Sequence, residues 1–254
     1  MKTVRLAADW KPGQDIVRED AVSSSTPPTP AAPPAPEPAA PVKHGAATAF
    51  YVSAEGHAVT NAHVTADCRE VRVAGREGAI KVLSADAKNN LALLDIPRRS
   101  GPFARLAADS EPPRQGQAIF VFGFPLNPPL SANITPGMVS SPFGLDHDSS
   151  QMQITAPIQP GSSGSPVLNT RGEVIGVVSK KLDELAMAKK VGTPTQNVNF
   201  AVLGPSLAAF LRANQVPYET MGWFERLFGG VGSNKSNAVA DEARTWTLAV
   251  ECWK

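Results

Sequence analysis

Cysteine is almost absent from this 254-residue chain, which has only Cys68 and Cys252. Two such residues are too few for a disulfide scaffold and too far apart in sequence for a paired metal-binding motif. They stand as free thiols or as one bridge. Charge of one sign is also lacking, since 24 basic and 23 acidic side chains nearly cancel. That balance removes the fixed positive potential with which proteins hold nucleic acid or an anionic membrane surface, so nucleic acid is not an expected partner. No apolar run approaches the roughly 18 residues that a membrane-crossing helix needs, and no integral membrane segment is expected. The opening MKTVRLAADWKPGQ lacks the continuous apolar stretch of a secretory signal. What remains, 42% hydrophobic and 19% charged residues, is enough to bury one large core or two smaller ones.

Proline, in contrast, is plentiful and unevenly placed. The run SSSTPPTPAAPPAPEPAAPV at 23–42 is almost wholly Pro, Ala, Ser and Thr, which favours extended, core-free backbone. Residues 1–43 are therefore expected to be a disordered segment and linker, with a globular body at 44–212 and a tail of unreadable role at 213–254. Within the body, short β-like runs alternate with turns: ATAFYVS, HAVTNAHV, EVRVAG, AIKVLSAD, NLALLDI, QAIFVFGF, MVSSPF, MQITAPI, PVLN, EVIGVVS and NVNFAVL. Their spacing and Val/Ile/Phe content predict an all-β protein of two barrels, about 44–111 and 118–204, with PPRQGQ at 112–117 as the crossover. SLAAFLRANQV has helical apolar spacing at Leu207, Phe210 and Leu211, predicting a short helix on the second barrel. In the tail, WFERLFGG reads as a helical turn whose Trp223, Phe224, Leu227 and Phe228 pack on the body. SNKSNA reads as a loop, and TWTLAVECW as a strand with Trp246, Leu248, Val250 and Cys252 on one face.

The chemistry-bearing pattern is QPGSSGSPV. A serine hydroxyl attacks well only when a base removes its proton and backbone N–H groups stabilise the developing oxyanion. Gly161 and Gly164 bracket Ser163, and a glycine two positions before the serine lets the N–H groups of Gly161 and Ser163 converge on one oxygen. Alone, such a run is as readily a plain turn. The support lies upstream in Thr60-Asn61-Ala62-His63-Val64, where His63 ends an apolar strand. Of the other histidines, His44 borders the linker, His57 sits in a turn and His147 in a polar loop. Histidine first and serine a barrel's length later is one known serial order of the triad roles.

With these motifs in order, the chain resembles the trypsin-like serine peptidases of the HtrA (DegP-like) branch from about Ala46 to Leu211. Further matching pieces are VFGFP at 121–125, TPGMVSS at 135–141, GEVIGVVS at 172–179 and NFAV at 199–202. The resemblance implies a chymotrypsin-like two-barrel fold, His63 as general base, Ser163 as nucleophile, Gly161 and Ser163 as oxyanion donors, and a polypeptide substrate. It implies no cofactor and no metal. Relatives of this type commonly work in the bacterial envelope or periplasm, and a Cys68–Cys252 bridge suits that compartment. Oligomeric state is not readable, and too few residues follow Leu211 for the peptide-binding module of these relatives.

Two departures stand out. Asn90 occupies the place where the family carries the orienting acid, just before LALL. An asparagine cannot stabilise the imidazolium, and in a trypsin-type triad the corresponding change holds the wrong tautomer and lowers kcat by about 10⁴. The expectation is a very slow enzyme, or a two-barrel binding module without turnover. Asp86 and Asp95 are the carboxylates near enough in sequence to substitute, and Asp86 shares a strand face with position 90. The second departure, Ser165 in place of glycine, is tolerable only where φ is negative. For specificity, Ile158 with the backbone of Val178 and Ser179 suggests an uncharged, small to medium apolar pocket, which disfavours Lys or Arg substrates. The segment 180–197 replaces a short loop beside it.

Overall fold

The β-branched and aromatic runs pair as strands, and the turns between them fall where Gly, Asp and Asn permit backbone that other residues avoid. The structure, a computed structural model, describes residues 40–98, 100–108, 112–125, 131–181, 198–221 and 235–254. Most of the expected linker and of the 180–197 segment, and all of the WFERLFGG turn, lie outside these residues. Strands β1 (Lys43–Tyr51), β2 (His57–Thr60), β3 (Glu70–Val73), β4 (Lys81–Asp86) and β5 (Leu91–Asp95) come first, with the one-turn helix α1 (Ala62–Thr65) after β2. They form a sheet of order β3-β12-β1-β2-β5-β4, whose remaining member, β12 (Thr247–Trp253), comes from the far end of the body. The sheet curls on itself, for Ile80 beside β4 donates its N–H to the Val71 carbonyl of β3 at 2.8 Å.

The second half is a closed barrel of order β10-β11-β8-β7-β6-β9. Its strands are β6 (Ala118–Gly123), β7 (Asn133–Ser141), β8 (Gln151–Ile154), β9 (Pro166–Leu168), β10 (Val174–Lys181) and β11 (Asn199–Leu203). The two-barrel, all-β architecture expected from the patterning is thus present. Ile119, Val121, Met152, Ile154 and Val178 fill the closed barrel. A larger cluster joins Phe50, Val59 and Leu93 of the first sheet to Leu168 and Val177 of the second barrel and to helix α2 (Gly204–Ala213). Leu207, Phe210 and Leu211 of α2 are buried, and the helix packs on β10 and β11 as its apolar spacing implies. Each such fully buried side chain contributes about 1.5–3 kcal/mol. The crossover runs from β5 to β6, and PPRQGQ forms only its last part. Leu106, midway, makes parallel bridges to Val174 and Thr220.

The C-terminal part differs most from the sequence reading. SNKSNA does not stay a loop, because Lys235–Trp246 forms helix α3. Its buried stripe is Val239, Ala240, Ala243 and Trp246. Two of those four are alanines, too faint an apolar signal among polar neighbours to read as a helix face. Trp246 therefore closes a helix rather than opening a strand, and it meets Phe50 edge-on with ring centroids 6.3 Å apart. Strand β12 pairs antiparallel with β1 from Phe50↔Thr247 to Lys43↔Trp253, and with β3 from Val73↔Val250 to Glu70↔Trp253. The first sheet is therefore not built from 44–111 alone, since alternation reveals that a segment is a strand but not which neighbours it takes.

Cys68 and Cys252, which the sequence leaves as thiols or a bridge, form a disulfide with Cα atoms 5.4 Å apart. It fastens β12 to the segment that follows α1. A link across 184 positions lowers the entropy of the unfolded chain and stabilises by about 2–5 kcal/mol. Cys252→Ser, or reduction of the native protein, is expected to lower Tm by about 5–15 °C. Calorimetry with and without reductant reads this directly, and an unchanged Tm would contradict it.

Candidate active site

Strand β2 ends at Thr60, and the single turn of α1 lifts His63 out of the sheet to an exposed position. Strand β5 is entered through a tight turn whose last residue, Asn90, has φ +54°. Asparagine adopts this left-handed conformation more readily than most side chains. The Asp86 carboxylate ties the turn by accepting the Asn89 backbone N–H at 3.0 Å and Asn89 Nδ2 at 2.6 Å. Those bonds, the backbone one first, hold the carboxyl below its ordinary range.

The turn delivers Asn90 to His63. Asn90 Oδ1 lies 2.9 Å from His63 Nδ1 and accepts the His63 backbone N–H at 3.1 Å. Asn90 Nδ2 donates to Ser179 Oγ at 3.0 Å, and the Asn90 carbonyl accepts Asn61 Nδ2 at 3.0 Å. Neither candidate substitute takes this position. Asp86 is committed to Asn89, and Asp95 ends β5 opposite His57 and Lys81. At about 3.3 Å per residue, that is on the order of 16 Å from Asn90.

The Gly161–Ser165 run links β8 to β9 and is clamped from the other half of the fold by Thr48 of β1. The Thr48 N–H donates to the Ser163 carbonyl at 2.9 Å, and Thr48 Oγ1 donates to the Gly161 carbonyl at 2.9 Å. Thr48 Oγ1 also accepts the Phe124 N–H at 3.0 Å, and the Thr48 carbonyl accepts Thr60 Oγ1 at 2.7 Å. On the barrel side, the Gly164 N–H donates to the Val178 carbonyl at 3.0 Å and the Val178 N–H to the Ser165 carbonyl at 2.8 Å. Gly164 has φ +80°, and a Cβ there would collide with the Thr48 carbonyl oxygen and Thr60 Oγ1. Among the described residues, the N–H groups of Gly161 and Ser163 donate no hydrogen bond. His63 and Ser163 line one cleft of about 400 Å³, together with Ala47, Val64, Cys252 and Lys254. The two motifs thus face the same cleft. No group of three or more His, Cys, Asp and Glu gathers to hold a metal ion among the described residues.

Ser165 meets its condition, since it is not among the residues with positive φ. It is wholly buried, and a Cβ on Gly123 would collide with its hydroxyl, so the two positions fit as a pair. The expected pocket residues are more deeply placed than an open lining requires. Ile158 and Val178 are buried in the closed barrel's core, and both backbone groups of Val178 are taken by Gly164 and Ser165. Ser179 is the extra residue of a β-bulge between Val178 and Lys180, and its hydroxyl is turned to Asn90. Sequence reading missed Thr48, Gly123 and the Ser179 contact, because a threonine in a strand run carries no mark of a partner more than a hundred positions away.

Thr48→Val keeps the shape but strands the Gly161 carbonyl and the Phe124 N–H. It is expected to cost about 1–3 kcal/mol in urea unfolding, whereas Thr48→Ser retains most of the stability. Equal stability of the two variants would mean that the hydroxyl does not hold the seam.

The family model described as trypsin-like peptidase domain matches residues 47–177. The uncharacterised protein y4bJ of Sinorhizobium fredii is 38% identical over 226 residues, covering 85% of this chain and 34% of that protein. A probable periplasmic serine endoprotease, DegP-like, of Ectopseudomonas mendocina is 35% identical over 137 residues, 52% of this chain and 28% of that protein. The chain thus spans about a third of the length of these relatives. Among solved structures, the HtrA-type protease AlgW with decapeptide shares the fold, with TM-score 0.55 and 24% identity over 66% of this chain and 50% of that one. The clamped serine loop, the histidine lining the same cleft and these likenesses agree: the chain belongs to the trypsin-like peptidase family, and HtrA- and DegP-like proteases are among the proteins it is similar to.

Proposed function

We propose that this chain is a serine endopeptidase that cleaves polypeptides through an acyl-enzyme, with Ser163 as nucleophile and His63 as general base. The carrying observation is the pair of uncommitted N–H groups at Gly161 and Ser163, beside a serine that shares its cleft with His63. Ser163 Oγ attacks the scissile carbonyl carbon while His63 Nε2 takes the hydroxyl proton. The carbonyl oxygen becomes the oxyanion that the two N–H groups receive. His63 then protonates the leaving amine, and a water activated by the same nitrogen releases the acyl group and restores Ser163. The substrate side chain is small to medium and apolar, with Ile158, Val178 and Ser179 as the buried, uncharged layer beneath it. A second reading, a two-barrel binding module without turnover, is favoured by one observation, the neutral Asn90 in place of a carboxylate.

A fluorophosphonate probe separates the two readings. Covalent labelling of Ser163, read by intact mass, is expected for the unaltered chain and none for Ser163→Ala. His63→Ala is expected to slow labelling by about 10²–10⁴. Absence of labelling above the Ser163→Ala background would overturn the peptidase reading.

A further inference from the structure

The chemistry of Asn90 can be assigned atom by atom. A backbone N–H can only donate, so the Asn90 atom 3.1 Å from the His63 backbone nitrogen is the amide oxygen and not the NH₂. The same oxygen lies 2.9 Å from His63 Nδ1. An oxygen offers no proton, so the ring nitrogen must supply one. Asn90 Nδ2, at the other end of the amide, is 3.0 Å from Ser179 Oγ, a hydroxyl that is able to accept. Turning the amide over would set NH₂ against the His63 backbone N–H, donor against donor, and would place the oxygen at Ser179. The turn leaves little freedom to relieve this, since the Asn90 carbonyl is tied to Asn61 Nδ2 and the Asp86–Asn89 bonds close the loop before it.

We infer that Asn90 is a positioning residue that keeps neutral His63 protonated on Nδ1, its amide orientation set by the His63 backbone N–H and its NH₂ accepted by Ser179, so that Nε2 carries the free lone pair. This rests on the peptidase reading for its consequence but not for its geometry. It reverses the expectation drawn from the sequence. The loss of about 10⁴ known for a trypsin-type triad follows from an asparagine that holds the wrong tautomer. Here one oxygen serves both nitrogens of the same histidine, and the tautomer is the one a general base requires. What Asn90 lacks is charge, so the imidazolium formed during reaction goes without a carboxylate partner.

The test uses the full chain with Ser163→Ala and ¹⁵N-labelled histidine, at a pH where the ring is neutral. Long-range ¹H–¹⁵N correlation spectra distinguish a protonated ring nitrogen from an unprotonated one, and His63→Gln identifies the His63 signals among the four histidines. Protonated Nδ1 and unprotonated Nε2 are expected, and the reverse pattern would overturn the inference. Ser179→Ala is expected to raise the Nε2–H population and to slow probe labelling about tenfold, with Ser179→Thr restoring both; an unmoved tautomer would remove Ser179 from the assignment. Asn90→Asp is expected to speed labelling by about ten- to a hundredfold, since only charge is added. A gain near 10⁴ would mean that the tautomer had been wrong. Should the unaltered chain fail to label while His63 shows protonated Nδ1, the peptidase reading falls and the assignment of Asn90 stands.

Discussion

Everything that the serine loop can do depends on Thr48. This one strand residue uses its N–H, carbonyl and hydroxyl to hold the Ser163 and Gly161 carbonyls, the Phe124 N–H and Thr60. With the Gly161 and Ser163 carbonyls held by Thr48, the N–H groups of these two residues remain without a hydrogen-bond partner among the described residues. The absence of a Cβ at Gly164 is what lets the loop come this close, since its space is the Thr48 carbonyl's own. Packing and chemistry are therefore one constraint at this seam. The hydrogen bonds form because the backbones approach this closely.

Much of this was legible in the sequence, for identifiable reasons. Strands of alternating or continuous apolar residues, such as LALLD and AIFVFG, announce themselves by period, and the α2 stripe by its spacing at Leu207, Phe210 and Leu211. Ser163, His63 and the family resemblance could be read because glycines and the TNAHV run are local signals. What could not be read is whatever depends on partner choice across distance. The entry of β12 between β1 and β3, the Thr48 clamp and the fit of Ser165 against Gly123 are set by three-dimensional proximity, and no periodicity encodes it. Helix α3 escaped for another reason, its buried stripe being half alanine.

The arrival of β12 has a consequence for the cleft. Cys252 and Lys254 line it alongside His63 and Ser163, so the C-terminal strand supplies part of the surface on which a polypeptide would lie. The disulfide ties that strand to Cys68, which follows the helix bearing His63. A strand that lines the cleft and the segment after α1 are thus covalently linked.

Asn90 completes the logic by showing which properties of an orienting acid can be separated. A carboxylate supplies an acceptor for Nδ1–H and a charge for the imidazolium, and the two are usually discussed together. In this site the acceptor is kept through an amide oxygen whose orientation is set by a backbone N–H, while Ser179 accepts from the NH₂. The charge is given up. Orientation fixes the ground state before any proton moves, whereas charge matters only as the proton arrives at Nε2. A site with the first and without the second is therefore poised but weakly driven, which differs in kind from a site whose ring carries its proton on the wrong nitrogen. The same φ of +54° that admits asparagine at position 90 also admits aspartate.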